Sequence, residues 1–211
     1  MPEGRPIVSD CGSESYRVSD YINYFLRPIS TRHRSYTKDT YDFVSKVRHK
    51  NIPKGAFLVT GDVTALYTNM DIERTLAVTR RALISHPQPD RPDEHILTLL
   101  ELTLRNNDFT FNGQFYLQIC GTAMGMGKTY AAALADLYME EFDDRAMDEY
   151  DIKPLLYSRF LDDIFFVWTG TLQQLLDYEK YLNSLIPDIK VTLNYSQETV
   201  NFLDTTIAKT A

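Results

Sequence analysis

Cysteine is scarce in this chain of 211 residues, with only Cys11 and Cys120 present. Two thiols cannot build a disulfide framework, and neither stands in a C-x-x-C or Cys/His spacing, which argues against a structural zinc site. No apolar run approaches the roughly 18 residues that a membrane-spanning helix needs. The opening residues, MPEGRPIVSD, lack the apolar stretch of a secretory signal. Repeats, low-complexity tracts and Gly/Ser linkers are also missing, so one continuous, soluble, intracellular domain without membrane partners is expected. What is there is the profile of a packed protein: 44% hydrophobic, 12% aromatic and 24% charged residues. The net charge of −7 argues against a nucleic-acid partner, because phosphates are usually held by Lys and Arg. The distribution reverses that reading: residues 1–60 carry +4 and residues 61–211 carry −11. Such asymmetry fits an anionic partner on one side and cation-binding carboxylates on the other, and it also fits a chance scatter of solvated charge.

Residues 5–9 (RPIVS) read as a short strand. A helix follows over 19–26, broken by Arg27-Pro28, and another over 39–50. The apolar run AFLVTGD (56–62) is a strand that ends on a carboxylate, and helical spacing covers 71–85 and 93–104 with a proline-rich loop, HPQPDRP, between them. Asn112-Gly113 between alternating aromatics marks a hairpin. The glycine-rich turn CGTAMGMG (120–127) opens a long helix over about 128–150, and LLYSRFLDDIFFVW (155–168) reads as a second hairpin. A helix over 172–185, a strand KVTLNY and a strand VNFLDTTI complete an α+β pattern with a mostly antiparallel sheet packed by helices.

The chemistry lies in the acids. Asp162 and Asp163 interrupt the most apolar stretch of the chain, where unpaired charge is costly unless the pair sits at a hairpin tip, protonates, finds a basic partner or binds a cation. By contrast, Asp143-Asp144 lies in the polar stretch EEFDDR and reads as a solvated face. Asp62 repeats the first pattern, since an apolar strand delivers it at its end. If the two strands are neighbours, three carboxylates converge as hard oxygen ligands of the kind magnesium takes, together with water and substrate phosphates. Two such ions suit in-line phosphoryl displacement, so the implied chemistry is nucleotidyl transfer. The histidines, His33, His49, His86 and His95, show no i, i+4 pairing and read as surface residues.

The ordered set RPIVS, GDVTALYTN, GTAMG, RFLDD and VNFLD resembles the palm and part of the fingers of a reverse transcriptase, most closely that of Penelope-like retroelements. The resemblance covers nearly the whole chain and implies a polymerase right-hand palm, with residues 1–55 as partial fingers and 56–211 mainly palm. It implies an RNA-directed DNA polymerase of a retrotransposon that works in the nucleus on an RNA template, a DNA primer and dNTPs with two Mg2+ ions, for which Mn2+ can substitute. By this resemblance Asp62 and Asp162 are the main metal ligands, with Asp163 a weaker or outer contributor. Tyr67 lies under the incoming sugar and excludes a 2′-hydroxyl, and Arg5 contacts the triphosphate. Gln118 and Gly121, with Met124 and Gly125, form a loop that lets template and nucleotide approach the backbone. Lys190 protonates the leaving pyrophosphate, and Phe202, Leu203 and Asp204 form the primer-grip hairpin. A thumb and a GIY-YIG endonuclease domain are expected to be absent.

Three rival readings remain. A decayed or domesticated element would keep the fold as an inactive binding module. An RNA-templated RNA polymerase would share the acidic geometry. A P-loop nucleotidase is suggested by Gly127-Lys128-Thr129, but its spacing requires glycine at position 122, where Thr122 stands. In that stretch Lys128 reads as a solvated lysine at a helix N-terminus.

Overall fold

The computed structural model describes residues 9, 12–122 and 128–209, which form two compact units. One comprises residues up to 32 together with 65–138, and the other residues 33–64 with 139–211. Among the described residues no helix is long and apolar enough to cross a membrane.

In the first unit, helices α1 (Tyr16–Ser30), α4 (Ile72–Ser85) and α5 (Asp93–Arg105) bury Ile22, Leu26, Val78, Leu83, Ile96 and Leu100. Asp71 caps α4 by accepting a hydrogen bond from the Arg74 amide at 2.8 Å. Helix α1 extends past both limits read from the sequence and keeps Pro28 inside its last turn. A proline there removes only one amide donor close to an end that frays anyway, and the Arg32 guanidinium caps the Pro28 carbonyl at 3.0 Å. A short helix, α3 (Leu66–Asn69), had no periodic signal. Strands β2 (Asp108–Phe111) and β3 (Gln114–Leu117) pair across Asn112-Gly113, both in left-handed backbone as the tight turn requires.

The second unit is built on an antiparallel sheet of order β4-β5-β1-β6, formed by β4 (Leu156–Phe160), β5 (Asp163–Trp168), β1 (Phe57–Val63) and β6 (Val191–Ser196). Both faces are covered. On one, Phe43 of α2 (Thr40–Val47) and Phe202 of β7 (Thr199–Phe202) pack on Leu58, Phe165 and Val167. On the other, Tyr178 of α7 (Leu172–Leu185) lies 4.8 Å from Trp168 and 5.6 Å from Phe166, ring centre to ring centre. The run 200–207, read from its apolar content as one strand, is a hairpin of β7 and β8 (Thr205–Ala208). It turns at Leu203-Asp204, with Leu203 at φ 50°. Helix α6 (Ala131–Asp148) supplies residues up to Tyr138 to the first unit and those from Met139 to the second.

Candidate active site

Strands β1 and β5 run antiparallel, with Leu58 opposite Val167, Thr60 opposite Phe165 and Asp62 opposite Asp163. Direct partners in an antiparallel pair project to the same face. The face that buries Leu58, Phe165 and Val167 therefore ends on two opposed carboxylates. Asp162 is the second residue of the two-residue turn between β4 and β5, directly after Leu161 in left-handed backbone at φ 53°. Its carbonyl accepts the Val63 amide at 3.0 Å, which ties the turn to the end of β1. The next amide, that of Thr64, donates to the Lys190 carbonyl at 2.8 Å, so the end of β1 is held on both sides.

Asp62 is exposed, whereas Asp162 and Asp163 are half-buried. Desolvation, followed by the neighbouring charges of Asp162 and Asp62, raises the Asp163 carboxyl above its ordinary value. Among the described residues no three acidic, histidine or cysteine side chains stand close enough to cage a metal ion. The donor set fits an ion that takes one or two carboxylates and completes its shell with water and phosphate oxygens, as magnesium does.

The other expected site residues fall as follows. The Lys190 ammonium is exposed and donates to the Asn183 carbonyl at 3.0 Å, where it caps the C-terminal end of α7. Phe202 is a core residue, 4.5 Å from Phe43 and 5.6 Å from Phe165 between ring centres. Leu203 packs on the same cluster. Asp204 is exposed and accepts a hydrogen bond from the Thr40 hydroxyl at 3.4 Å. Within the first unit, Tyr67 lies on α3, and its carbonyl accepts the Thr122 amide at 2.8 Å. Gly121, at φ 70°, donates its amide to the Met70 carbonyl at 2.9 Å. A Cβ on Gly121 would stand 2.2 Å from the Tyr67 carbonyl oxygen, so only glycine fits. The Gln118 side chain accepts from Asn107 and donates to the Cys120 carbonyl, each at 2.9 Å. Arg5, Met124 and Gly125 lie outside the described residues.

Three residues read as surface features are core. Asp143, expected on a solvated face, is buried and accepts from Arg159 Nε at 2.7 Å, Tyr157 Oη at 2.9 Å and Ser35 Oγ at 2.5 Å. Only Asp144 is exposed, paired with Arg34 at 2.9 Å. His33 is buried with its Nδ1 2.7 Å from Ser35 Oγ. The signal for this cluster was Arg159, a guanidinium in the apolar stretch LLYSRF, which needs a buried anion somewhere in the fold. Lys128, expected in solvent, is buried in the first unit and donates to the Ser15 hydroxyl.

By sequence, no family model and no curated protein matches the chain. By structure, apo telomerase from Candida tropicalis, truncated from its C-terminal domain, superposes with a TM-score of 0.60 at 12% identity, over 94% of this chain and 44% of that one. An RNA-dependent RNA polymerase (vp4, dsRNA) gives a TM-score of 0.65 at 10% identity, over 97% of this chain and 20% of the other. This is a polymerase palm fold. The RNA-dependent RNA polymerase of a human picobirnavirus matches the palm as well, with a TM-score of 0.56 and 13% identity over 75% of this chain and 30% of that one. The chain spans less than half the length of each of these structures.

Proposed function

We propose that this palm belongs to a reverse transcriptase of the Penelope-like type, which extends a DNA primer 3′-hydroxyl on an RNA template with dNTPs in the nucleus. The observation that carries the reading is the placement of Asp62 opposite Asp163 at adjacent strand ends, with Asp162 in the turn between. Asp62, Asp162 and Asp163 would hold two Mg2+ ions, which when bound supply Lewis-acid activation of the primer hydroxyl and charge neutralisation at the leaving pyrophosphate. The chain's own part is to hold the carboxylates in register before substrate arrives, through the Val63 and Thr64 backbone bonds. Within the same reading, Tyr67 on α3 sets the sugar preference, Arg5 and the loop of Gln118 and Gly121 receive nucleotide and template, and the Phe202-Leu203-Asp204 turn supports the primer. Residues 1–55 are read as partial fingers and 56–211 as mainly palm.

The viral RNA polymerases among the structural neighbours favour one alternative, RNA synthesis on an RNA template, and the two readings part at the choice of sugar. The test is primer extension on an RNA template with Mg2+ or Mn2+, with dNTPs and NTPs in parallel. Extension with dNTPs that falls to background in Asp62→Asn and Asp162→Asn supports the proposal. NTP incorporation alone supports the alternative, and extension that survives both substitutions overturns the acidic site.

A further inference from the structure

We propose that Arg159 is a positioning residue that holds the acidic turn in its metal-binding geometry, with Asp143 as its anchor. The inference rests on the polymerase reading above and extends it to residues that touch neither substrate nor ion. The Arg159 side chain is wholly buried, and its guanidinium makes separate bonds with separate nitrogens. Nε donates to Asp143 Oδ2 at 2.7 Å, Nη1 donates to the Leu161 carbonyl at 2.9 Å, and Nη2 lies 3.4 Å from His33 Nε2. Leu161 immediately precedes Asp162 and is in the left-handed region at φ 53°. A leucine in that conformation is strained and persists only where its surroundings over-determine it.

The charge-assisted bond from Nη1 to Leu161 is the side-chain contact that fixes this residue from inside the fold, and it is stronger than a neutral one. The backbone of Arg159 is held in turn, since its amide donates to the Ser35 carbonyl at 2.7 Å and its carbonyl accepts the Thr37 amide at 2.8 Å. The chain of constraint thus runs from the buried end of α6 and the segment 33–37, through one planar fork, to the peptide that carries Asp162. Only arginine can span it. A lysine ammonium has no rigid fork with which to reach Asp143 and Leu161 at once. Groups that orient metal ligands without touching the metal typically change metal affinity or activity about 10–100-fold when removed.

The test uses Asp143→Asn/Arg159→Met, which removes both buried charges together and leaves an oxygen for the Tyr157 and Ser35 hydroxyls. Arg159→Lys serves as the charge-conserving variant. Folding is followed by the fluorescence of Trp168, the single tryptophan, which is buried in the same unit. Mn2+ binding is followed by electron paramagnetic resonance, and primer extension gives kcat and the dNTP KM at saturating Mn2+. The expected result is a folded double variant whose Mn2+ affinity falls about 10–100-fold, with kcat reduced more than KM and no rescue by lysine. A folded double variant that binds Mn2+ and extends primer like the wild type overturns the inference alone. A wild-type chain that shows no Mn2+ binding dependent on Asp62 and Asp162 overturns the polymerase reading and this inference with it.

Discussion

Replacing Asp143 by alanine should unfold the second unit at a much lower temperature. The Asp143 carboxylate is 1% exposed and its partner Arg159 is 0% exposed, so the substitution removes the carboxylate that a fully buried guanidinium faces at 2.7 Å. Removing one member of a buried ion pair costs about 3–5 kcal/mol. The Tyr157 and Ser35 hydroxyls lose their acceptor in the same step, and the losses overlap because all three donors share one carboxylate. At roughly 2–4 °C per kcal/mol for a chain of this size, the midpoint should fall by about 6–20 °C. Thermal and urea unfolding followed by Trp168 fluorescence would measure it, beside two controls. Asp144→Asn removes an exposed pair with Arg34 and should cost about 0–1 kcal/mol. Asp143→Asn/Arg159→Met should recover most of the loss, because no buried charge is left unpaired. A cost below about 1 kcal/mol for Asp143→Ala, or a double variant as unstable as the alanine single, would refute the argument.

Three further outcomes are expected. Asp163→Asn should stabilise the chain by roughly 0.2–1 kcal/mol at neutral pH, since it relieves a like-charge pair across β1 and β5. The raised Asp163 carboxyl gives that effect a sign: its contribution is favourable below the ordinary carboxylate range and is lost as pH rises through the raised value, so the advantage of the Asn variant should vanish in acid. A denaturation series across that range that shows a constant gap would contradict it. Gly121→Ala forces a Cβ to within 2.2 Å of the Tyr67 carbonyl oxygen at φ 70° and should cost more than about 2 kcal/mol, read from the helical circular-dichroism signal; an unchanged midpoint would reject the close packing on α3. Tyr67→Val should raise NTP relative to dNTP incorporation, and an unchanged ratio would remove Tyr67 from sugar selection.

Local chemistry made most of the elements legible. Asp71 and Thr171 cap helices at the positions where the apolar period begins. Asn112-Gly113 turns the hairpin, and the apolar strands ending on Asp62 and opening on Asp163 announced that carboxylates sit at strand ends. These features depend on neighbours a few residues apart, so they survive in a linear reading. Burial does not. Asp143 and Asp144 are adjacent in the chain and equally polar, yet a step of one residue on α6 turns one into the core and leaves the other in water.

The sequence by itself determined the apolar strands that carry Asp62 and Asp163 and the acidic turn between strands, and an arginine at 159 in an apolar stretch sets up a demand for an anion. Which anion answered that demand was settled only when α6 packed on β4, and the pairing of Asp62 with Asp163 in place of Asp162 was settled only by strand register. Register has a period of two residues, so a shift of one would exchange the carboxylates between the faces of the sheet. That choice comes from packing Leu58, Phe165 and Val167 under Phe43 and Phe202, residues far apart in the chain that meet only in the folded core.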